Sequence, residues 1–530
     1  MSLSHWPASD EPVLDSTIAS ILRGAAAGAP DREAVVAGTS DPGLRRRRTY
    51  AQACAEAEAV ARSLARRFSP GERLAVLAPS TPESWLLTFA AAMAGLVLVP
   101  MNPLLRAREI EHILAKSAAA AVVFVPRHRD SDLAAALTEV APRLPGLREL
   151  MSFDHWSQLV TGGEEGSLPT VQPDDVAQLV FTSGTTGAPK GVMLTHRGLT
   201  NAARLSGERF PIGQGDVYVN TIPLYHVGGQ VVSFMVVQAL ATNVLVARFD
   251  AALQLELLET EHATHTVGVP TTLADVMAHP SFGERDLSAL RAVSCGGSLV
   301  PVKLIRDVER RLGVRTTIIF GQSETCGYIS QTFPDDDPAD KATTVGRLLA
   351  HLEGRVVDPQ RGVVVPTGEV GELQVRGAGV MAGYFDEPEQ TAAAIDSGGW
   401  LHTGDLVTMD ERGYLRVAGR LKEMIVTGGV NVYPVEVEGV IGAHPSVTHV
   451  AVVGVPDARW GEAVVAVVQL QSGADPDLAP IEEFSREQLA SYKVPKRWIV
   501  AASLPMTASG KVQKHLLADL VSRARLGGVC

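Results

Sequence analysis

Four cysteines in 530 residues are too few and too scattered to build a framework. Cys54, Cys295, Cys326 and Cys530 show no C-x-x-C spacing, which argues against a zinc knuckle or a disulfide scaffold and fits a reducing cytoplasm. Basic residues are also in deficit, 47 against 59 acidic ones, for a net charge of −12. A general nucleic-acid surface is therefore not expected. The one basic run, Arg45–Arg48, reads as a solvated face beside a short strand. No apolar stretch reaches a clean membrane span: the longest, Trp85 to Met101, is divided by Gly95 and Pro100 into a helix and a strand. The first residues carry neither a basic region nor an apolar core, so no secretory signal is expected. Repeats and low-complexity tracts are absent.

What is present is an ordinary folding composition, 46% hydrophobic and 20% charged. The length exceeds what one core supports, so several domains are expected. Helical and strand patterns alternate from Thr17 to about Pro169. Tyr50–Phe68 and Trp85–Ala94 read as helices; Arg73–Ala78, Leu96–Pro100 and Ala120–Val125 read as strands of continuous apolar sequence. Further strands are expected near Val217–Thr221, Thr242–Ala247, Thr266–Val269, Ala292–Ser294 and Thr316–Phe320. Uninterrupted apolar strands alternating with helices indicate an α/β fold with mostly parallel sheets covered on both faces. Beyond Gly368 the texture becomes Gly-rich strand and turn. From Leu421 a small α+β domain is expected, with strands at Met424–Val426, Val447–Val455 and Ala463–Gln471 and helices at Val435–Gly442 and Ile481–Leu489. The domain boundary is placed so that 1–420 forms a large N-terminal domain and 421–530 a small, mobile C-terminal one.

The most informative segment is Phe181-Thr182-Ser183-Gly184-Thr185-Thr186-Gly187-Ala188-Pro189-Lys190. Glycines let backbone N–H groups crowd an anion, hydroxyls add donors, and the lysine adds charge, a combination suited to a polyphosphate. The spacing is not that of a P-loop, because Gly184 and Gly187 stand three apart and proline precedes the lysine.

Seven further segments follow in order: Pro223–Gly229 around Tyr225-His226; Gly296-Gly297-Ser298; Phe320-Gly321-Gln322-Ser323-Glu324-Thr325; Trp400–Asp405; Gly419–Glu423; Thr427–Pro434; and Pro505–Lys511. Together these resemble the adenylate-forming superfamily, and within it the acyl-CoA synthetases that ligate fatty or aryl acids to coenzyme A. The resemblance covers nearly the whole chain. It implies ATP-dependent conversion of a carboxylic acid to acyl-AMP with release of pyrophosphate, then transfer to the thiol of coenzyme A. The acceptor alternatives are a carrier-protein thiol or another nucleophile; a nucleotide-binding module without catalysis is the third reading.

The resemblance implies these roles. Thr182, Ser183, Gly184, Thr185, Thr186, Gly187 and Lys190 hold the β- and γ-phosphates. Glu324 helps bind Mg²⁺, a hard ion suited to carboxylate and phosphate oxygens. Ser323 keeps the hydroxyl of the threonine usual in the family. Phe320 stacks beside adenine where a tyrosine is usual, followed by Gly321, while Gly296, Gly297 and Ser298 form the opposite wall. Asp405 accepts from the ribose hydroxyls, with Arg420 beside it. Lys511 bridges the substrate carboxylate and the α-phosphate. The C-terminal domain turns about Lys422, withdrawing Lys511 and presenting Gly428 and Gly429 to coenzyme A. His226 is either a packed core histidine or a residue at the mouth of the acyl pocket.

Near Tyr225-His226 there is no aspartate to pair with a substrate ammonium, so an apolar acid, aliphatic or aromatic, is expected over a free amino acid. Its wall is expected in Val227–Val237, Gly268–Leu273 and Gly327–Thr332, with Tyr328 setting size. His262 and His265 share H-x-x-H spacing but lack further ligands at a metal-site spacing. The segment Gly377–Gly383 imitates a dinucleotide fingerprint but matches instead the family's Gly–Met–Gly-Tyr segment, continued by Tyr384.

Lys511→Ala should slow adenylation by roughly 10²–10³, the scale of a lost charge-stabilising donor. Thioester formation from supplied acyl-AMP should be much less affected. Equal loss in both half-reactions would refute the division of labour.

Overall fold

The run from Trp85 to Met101 shows how the chain solves its own patterning. Thr81 caps a helix, Pro82–Met93, by accepting from the Ser84 amide, and Pro82 occupies the first turn, where its missing N–H costs nothing. Every residue of that helix is buried. Gly95, at φ +69°, makes the left-handed turn that a side chain resists, and the chain re-enters as the strand Val97–Met101. The break expected at Pro100 does not occur, because the strand runs on to Met101. No helix among the described residues is long and apolar enough to cross a membrane.

The computed structural model describes residues 2–163, 166–182, 189–297, 300–427, 430–457, 459–471, 473–506 and 512–526. The chain divides into two compact units. One comprises Trp6–Gly354 and Val375–Leu401; the other comprises Met1–His5, Arg355–Gln374 and His402–Cys530.

The larger unit holds two wide sheets. In the seven-stranded sheet the order is Gly383–Tyr384, Lys190–Thr195, Val176–Thr182, Val97–Met101, Arg73–Leu77, Ala119–Phe124, Glu149–Ser152. Pairing is parallel from Val176–Thr182 onward, whereas Lys190–Thr195 runs antiparallel to both its neighbours. The nine-stranded sheet is parallel from Arg315–Phe320 through Ala292–Gly296, His265–Gly268, Val217–Asn220 and Thr242–Val246 to Glu33–Gly38. Short antiparallel strands close its edges. The expected mostly parallel α/β architecture is therefore observed. Along the helix Pro82–Met93, Trp85 meets Phe89 edge-on at 4.7 Å, and Phe89 in turn meets Phe234 of the helix Val227–Gln238 at 5.8 Å.

The basic run departs from its expected solvated reading at one residue. Arg45 is buried, donating to Glu256 at 2.7 Å and Glu261 at 2.8 Å, and also to Thr260 and the Thr39 carbonyl. A buried guanidinium is tolerable only with this many acceptors. Glu256, Thr260 and Glu261 lie more than 200 residues downstream, beyond any local pattern.

In the smaller unit, the strand residues 355–357, 371–374, 402–409 and 415–420 lie side by side in one sheet in that order. A second sheet is built on the hairpin Val447–Asp457 with Gly461–Leu470, which Arg497–Val500 joins in parallel. Alternation along that hairpin sorts two cores. Val452, Val464, Ala466 and Val468 pack with Val437, Ile441 and Ile481. Ala451, Val453, Val465 and Val467 pack with Leu504, Leu517 and Val521. A strand covered on both faces needs apolar residues at every position, hence the unbroken run. The covering helix Lys514–Leu526 is an element the sequence reading did not identify.

Three histidines of the larger unit share deep burial. Desolvation holds His196 and His265 down to about 4 and His351 down to about 3, from an ordinary 6.5. His196 accepts the Ile18 amide through Nδ1, and His265 reaches the Pro211 carbonyl through Nε2 at 3.1 Å. All three are neutral in the fold, whereas the unfolded chain takes up protons near pH 6.5. Their contribution is complete above that pH and is lost as pH falls toward 4, with a slope of at most about 4 kcal/mol per pH unit. Unfolding midpoints measured between pH 7 and 4.5 should follow that fall. His351→Asn should flatten the slope by about a third.

Candidate active site

Parallel strands release their loops at the carboxyl edge, and the expected site residues of the larger unit lie there. Thr182 ends the strand Val176–Thr182 and pairs directly with Lys190, which begins the returning strand. The hairpin therefore brings the first hydroxyl and the lysine of the polyphosphate loop side by side. Ser183, Gly184, Thr185, Thr186 and Gly187 lie outside the described residues, as do Ser298, Gly428, Gly429 and Lys511.

Gly296 ends its strand opposite Ile319 of the parallel neighbour. A Cβ there would stand 2.4 Å from the Ile319 carbonyl oxygen, so only glycine permits the strands to close. Gly297 follows at φ +81°. Phe320 closes the adjacent strand, and Gly321 approaches Gly327 so tightly that a Cβ would lie 2.2 Å from its carbonyl oxygen.

Ser323, Glu324 and Thr325 form a single 3-10 turn. Its exit is strained: Cys326 sits at φ +52° and Gly327 at φ +82°. A cysteine in that region costs roughly 1 kcal/mol or more. The surrounding bonds hold it, with the Gly327 amide donating to the Gln322 carbonyl and the Ile329 amide to the Phe320 carbonyl. Burial pushes the Cys326 thiol up to about 12, so it is no nucleophile near neutrality.

One further side chain joins these elements. The Tyr384 hydroxyl donates to Glu324 Oε1 at 2.9 Å, and Lys190 Nζ lies 4.8 Å from the centroid of the Tyr384 ring. Burial, reinforced by Glu324, raises the phenol above its ordinary range, so it remains a donor. No role was assigned to Tyr384 from the sequence; its signal was the Gly383-Tyr384 pair followed by Thr391, whose hydroxyl accepts the Tyr384 amide at 2.9 Å.

His226 occupies the residue before the helix Val227–Gln238, its amide donating to the Pro223 carbonyl and its ring 4.8 Å from that of Tyr225. Gly229 lets this first turn fold over Pro223, because a Cβ would stand 2.3 Å from the Pro223 oxygen. Tyr328 is buried.

In the smaller unit, Asp405 and Arg420 are cross-strand partners, and Arg420 Nε donates to Asp405 Oδ1 at 2.8 Å. Asp405 is only 3% exposed. Its backbone turn is secured by the Thr403 hydroxyl, which accepts the Asp405 amide and donates to the Leu373 carbonyl at 2.6 Å. Lys422 lies in the 3-10 turn Leu421–Glu423.

Comparison with known proteins gives a concordant result. The family model described as AMP-binding enzyme matches residues 22–385, and that of the AMP-binding enzyme C-terminal domain matches residues 436–511. The chain is 35% identical to a putative acyl-CoA synthetase, YngI, of Bacillus subtilis (strain 168), over 96% of this chain and 97% of that one. It is 31% identical to the human (Homo sapiens) mitochondrial medium-chain acyl-CoA ligase ACSF2, over 96% and 88% respectively. Among solved structures, ATP-bound MatB from Rhodopseudomonas palustris superposes with a TM-score of 0.86 at 30% identity, covering 96% of this chain and 99% of that one.

Gly321→Ala should force the strand end away from Gly327 and destabilise the unit by about 1–3 kcal/mol, as overpacking does. A thermal midpoint matching that of the unsubstituted protein would show that the Gly321–Gly327 approach carries no constraint.

Proposed function

Because the chain belongs to the AMP-binding enzyme family, we infer that it is an AMP-forming acid–thiol ligase acting on an apolar carboxylic acid. In the first half-reaction a carboxylate oxygen attacks the α-phosphorus of ATP. The bond to the bridging oxygen breaks, pyrophosphate leaves with the electron pair, and acyl-AMP remains. No general base is needed, because a carboxylic acid is already ionised near neutrality. In the second, the sulfur of coenzyme A attacks the acyl carbonyl, the thiol proton is lost, and AMP departs.

The observation that most supports this reading is the Thr182–Lys190 pairing joined through Tyr384 to Glu324. It sets hydroxyl and ammonium donors beside a carboxylate, the complement of a polyphosphate with its divalent counter-ion. A single carboxylate together with phosphate oxygens is a donor set that suits Mg²⁺, which binds proteins through one or two carboxylates and keeps several waters. In this reading Glu324 would hold the cation, whose charge would screen the leaving pyrophosphate. Thr182, Ser183, Gly184, Thr185, Thr186, Gly187 and Lys190 hold the β- and γ-phosphates. Phe320 and Gly321 face adenine from one side and Gly296, Gly297 and Ser298 from the other, with Ser323 toward phosphate.

Asp405, paired with Arg420, takes the ribose hydroxyls. Lys511 serves adenylation, and Gly428 and Gly429 serve thioester formation, with Lys422 as the hinge between residues 1–420 and 421–530. His226 stands where the acid and the thiol meet. Coenzyme A is the acceptor, and the cytoplasm is the compartment we assign.

The test is pyrophosphate release over a panel of acids with and without coenzyme A, beginning with medium-chain acids because ACSF2 carries that name. Acid-dependent pyrophosphate release is expected, with a thioester appearing only when coenzyme A is supplied. An unchanged product on adding coenzyme A would transfer the second step to a carrier-protein thiol or another nucleophile. No pyrophosphate with any acid would overturn the reading.

A further inference from the structure

We propose that Tyr384 is a positioning residue, which sets the Glu324 carboxylate for its divalent cation and ties that carboxylate to Lys190 of the phosphate grip. The proposal rests on the assignment of Glu324 to the cation. Its geometry is specific. The phenol has one proton to give, and gives it to Oε1 of Glu324 at 2.9 Å. That bond fixes the carboxylate's rotation and selects which oxygen is turned toward the phenol. The ring's face lies under the Lys190 ammonium at 4.8 Å, a cation–π contact that orders the lysine without neutralising it.

The backbone around Tyr384 repeats the same linkage. Tyr384 pairs with Val192, two residues from Lys190, and Phe385 donates to the Gly191 carbonyl at 2.8 Å. On the other side, the Met381 amide donates to the carbonyl of Glu324 itself at 2.9 Å. Gly383, at φ +140° and with a would-be Cβ 2.8 Å from Thr391 Cγ2, allows the segment to pass so closely. Four residues, Met381 to Tyr384, thus bind the turn that carries Glu324 to the strand that carries Lys190. Nothing in the reaction requires a phenol at this place. What it does require is that the two charges keep a constant separation, and a side chain with a donor at its tip and a π-face on its flank meets both.

The proposal separates from simple packing because Tyr384→Phe keeps the ring and its cation–π contact while deleting only the donor. Mn²⁺ binding to the full-length protein with α,β-methylene-ATP is measured by water proton relaxation, which distinguishes protein-bound from nucleotide-bound ion. Tyr384→Phe should weaken Mn²⁺ binding by about tenfold, the range for removing an outer partner of a metal ligand. Its thermal midpoint should stay close to that of the unsubstituted protein, and raised Mg²⁺ should restore kcat. Tyr384→Leu, which removes the ring as well, should in addition weaken metal-free nucleotide binding through Lys190.

Glu324→Gln is the control for the underlying assignment. If it leaves Mn²⁺ binding intact, the cation assignment fails and the proposal falls with it. If Glu324→Gln weakens Mn²⁺ and Tyr384→Phe does not, the positioning role alone is wrong. Loss of kcat in Tyr384→Phe that no Mg²⁺ concentration restores would likewise overturn it.

Discussion

Parallel strand pairing is the constraint on which the larger unit depends. Once Val217–Asn220, His265–Gly268, Ala292–Gly296 and Arg315–Phe320 lie parallel and side by side, their carboxyl ends share one edge. Loops that must reverse direction there cannot be buried without stranding backbone donors and acceptors, so that edge stays open to solvent in the way ligand sites of parallel sheets do. Gly296, Phe320 and the approach to His226 reach it from three different strands. The close passages at Gly296 and Gly321 follow from the same pairing: strands and turns meet with no room for a Cβ.

Charge is managed in two ways. Structural charges are buried with full sets of partners, as at Arg45, where two carboxylates, a hydroxyl and a carbonyl surround one guanidinium. The charges assigned to chemistry are instead linked through an intermediary. Lys190 and Glu324 both engage Tyr384, one through its face and one through its hydroxyl, so the ring stands between them. A direct ion pair would have consumed the ammonium that a phosphate needs. The strained backbone at Cys326 stands two residues from the same carboxylate.

Much of the fold was legible because its strands are covered on both faces. Continuous apolar runs marked Arg73–Leu77, Ala119–Phe124, Val447–Asp457 and Gly461–Leu470 to within a few residues. Elements whose identity depends on a partner were not legible. The return strand Lys190–Thr195 carries no strong strand pattern and is ordered by pairing with Val176–Thr182 and Gly383–Tyr384. The helix Lys514–Leu526 is charged and mixed in sequence, and it gains its apolar face from the sheet it covers, where Leu517 and Val521 meet Val453 and Val465. Arg45 looked solvated because its carboxylates come from a distant helix.

The sequence by itself determined the family, the chemistry and the order of its motifs, because hydroxyls, glycines and charges at given spacings carry those properties locally. The tertiary structure alone decided which of them meet. Thr182 and Lys190 became neighbours through strand register, Asp405 and Arg420 through a second register, and Tyr384 came between Lys190 and Glu324 through an edge pairing almost two hundred residues away in the chain. Register is set by how whole sheets bury their faces, and no short segment contains that information.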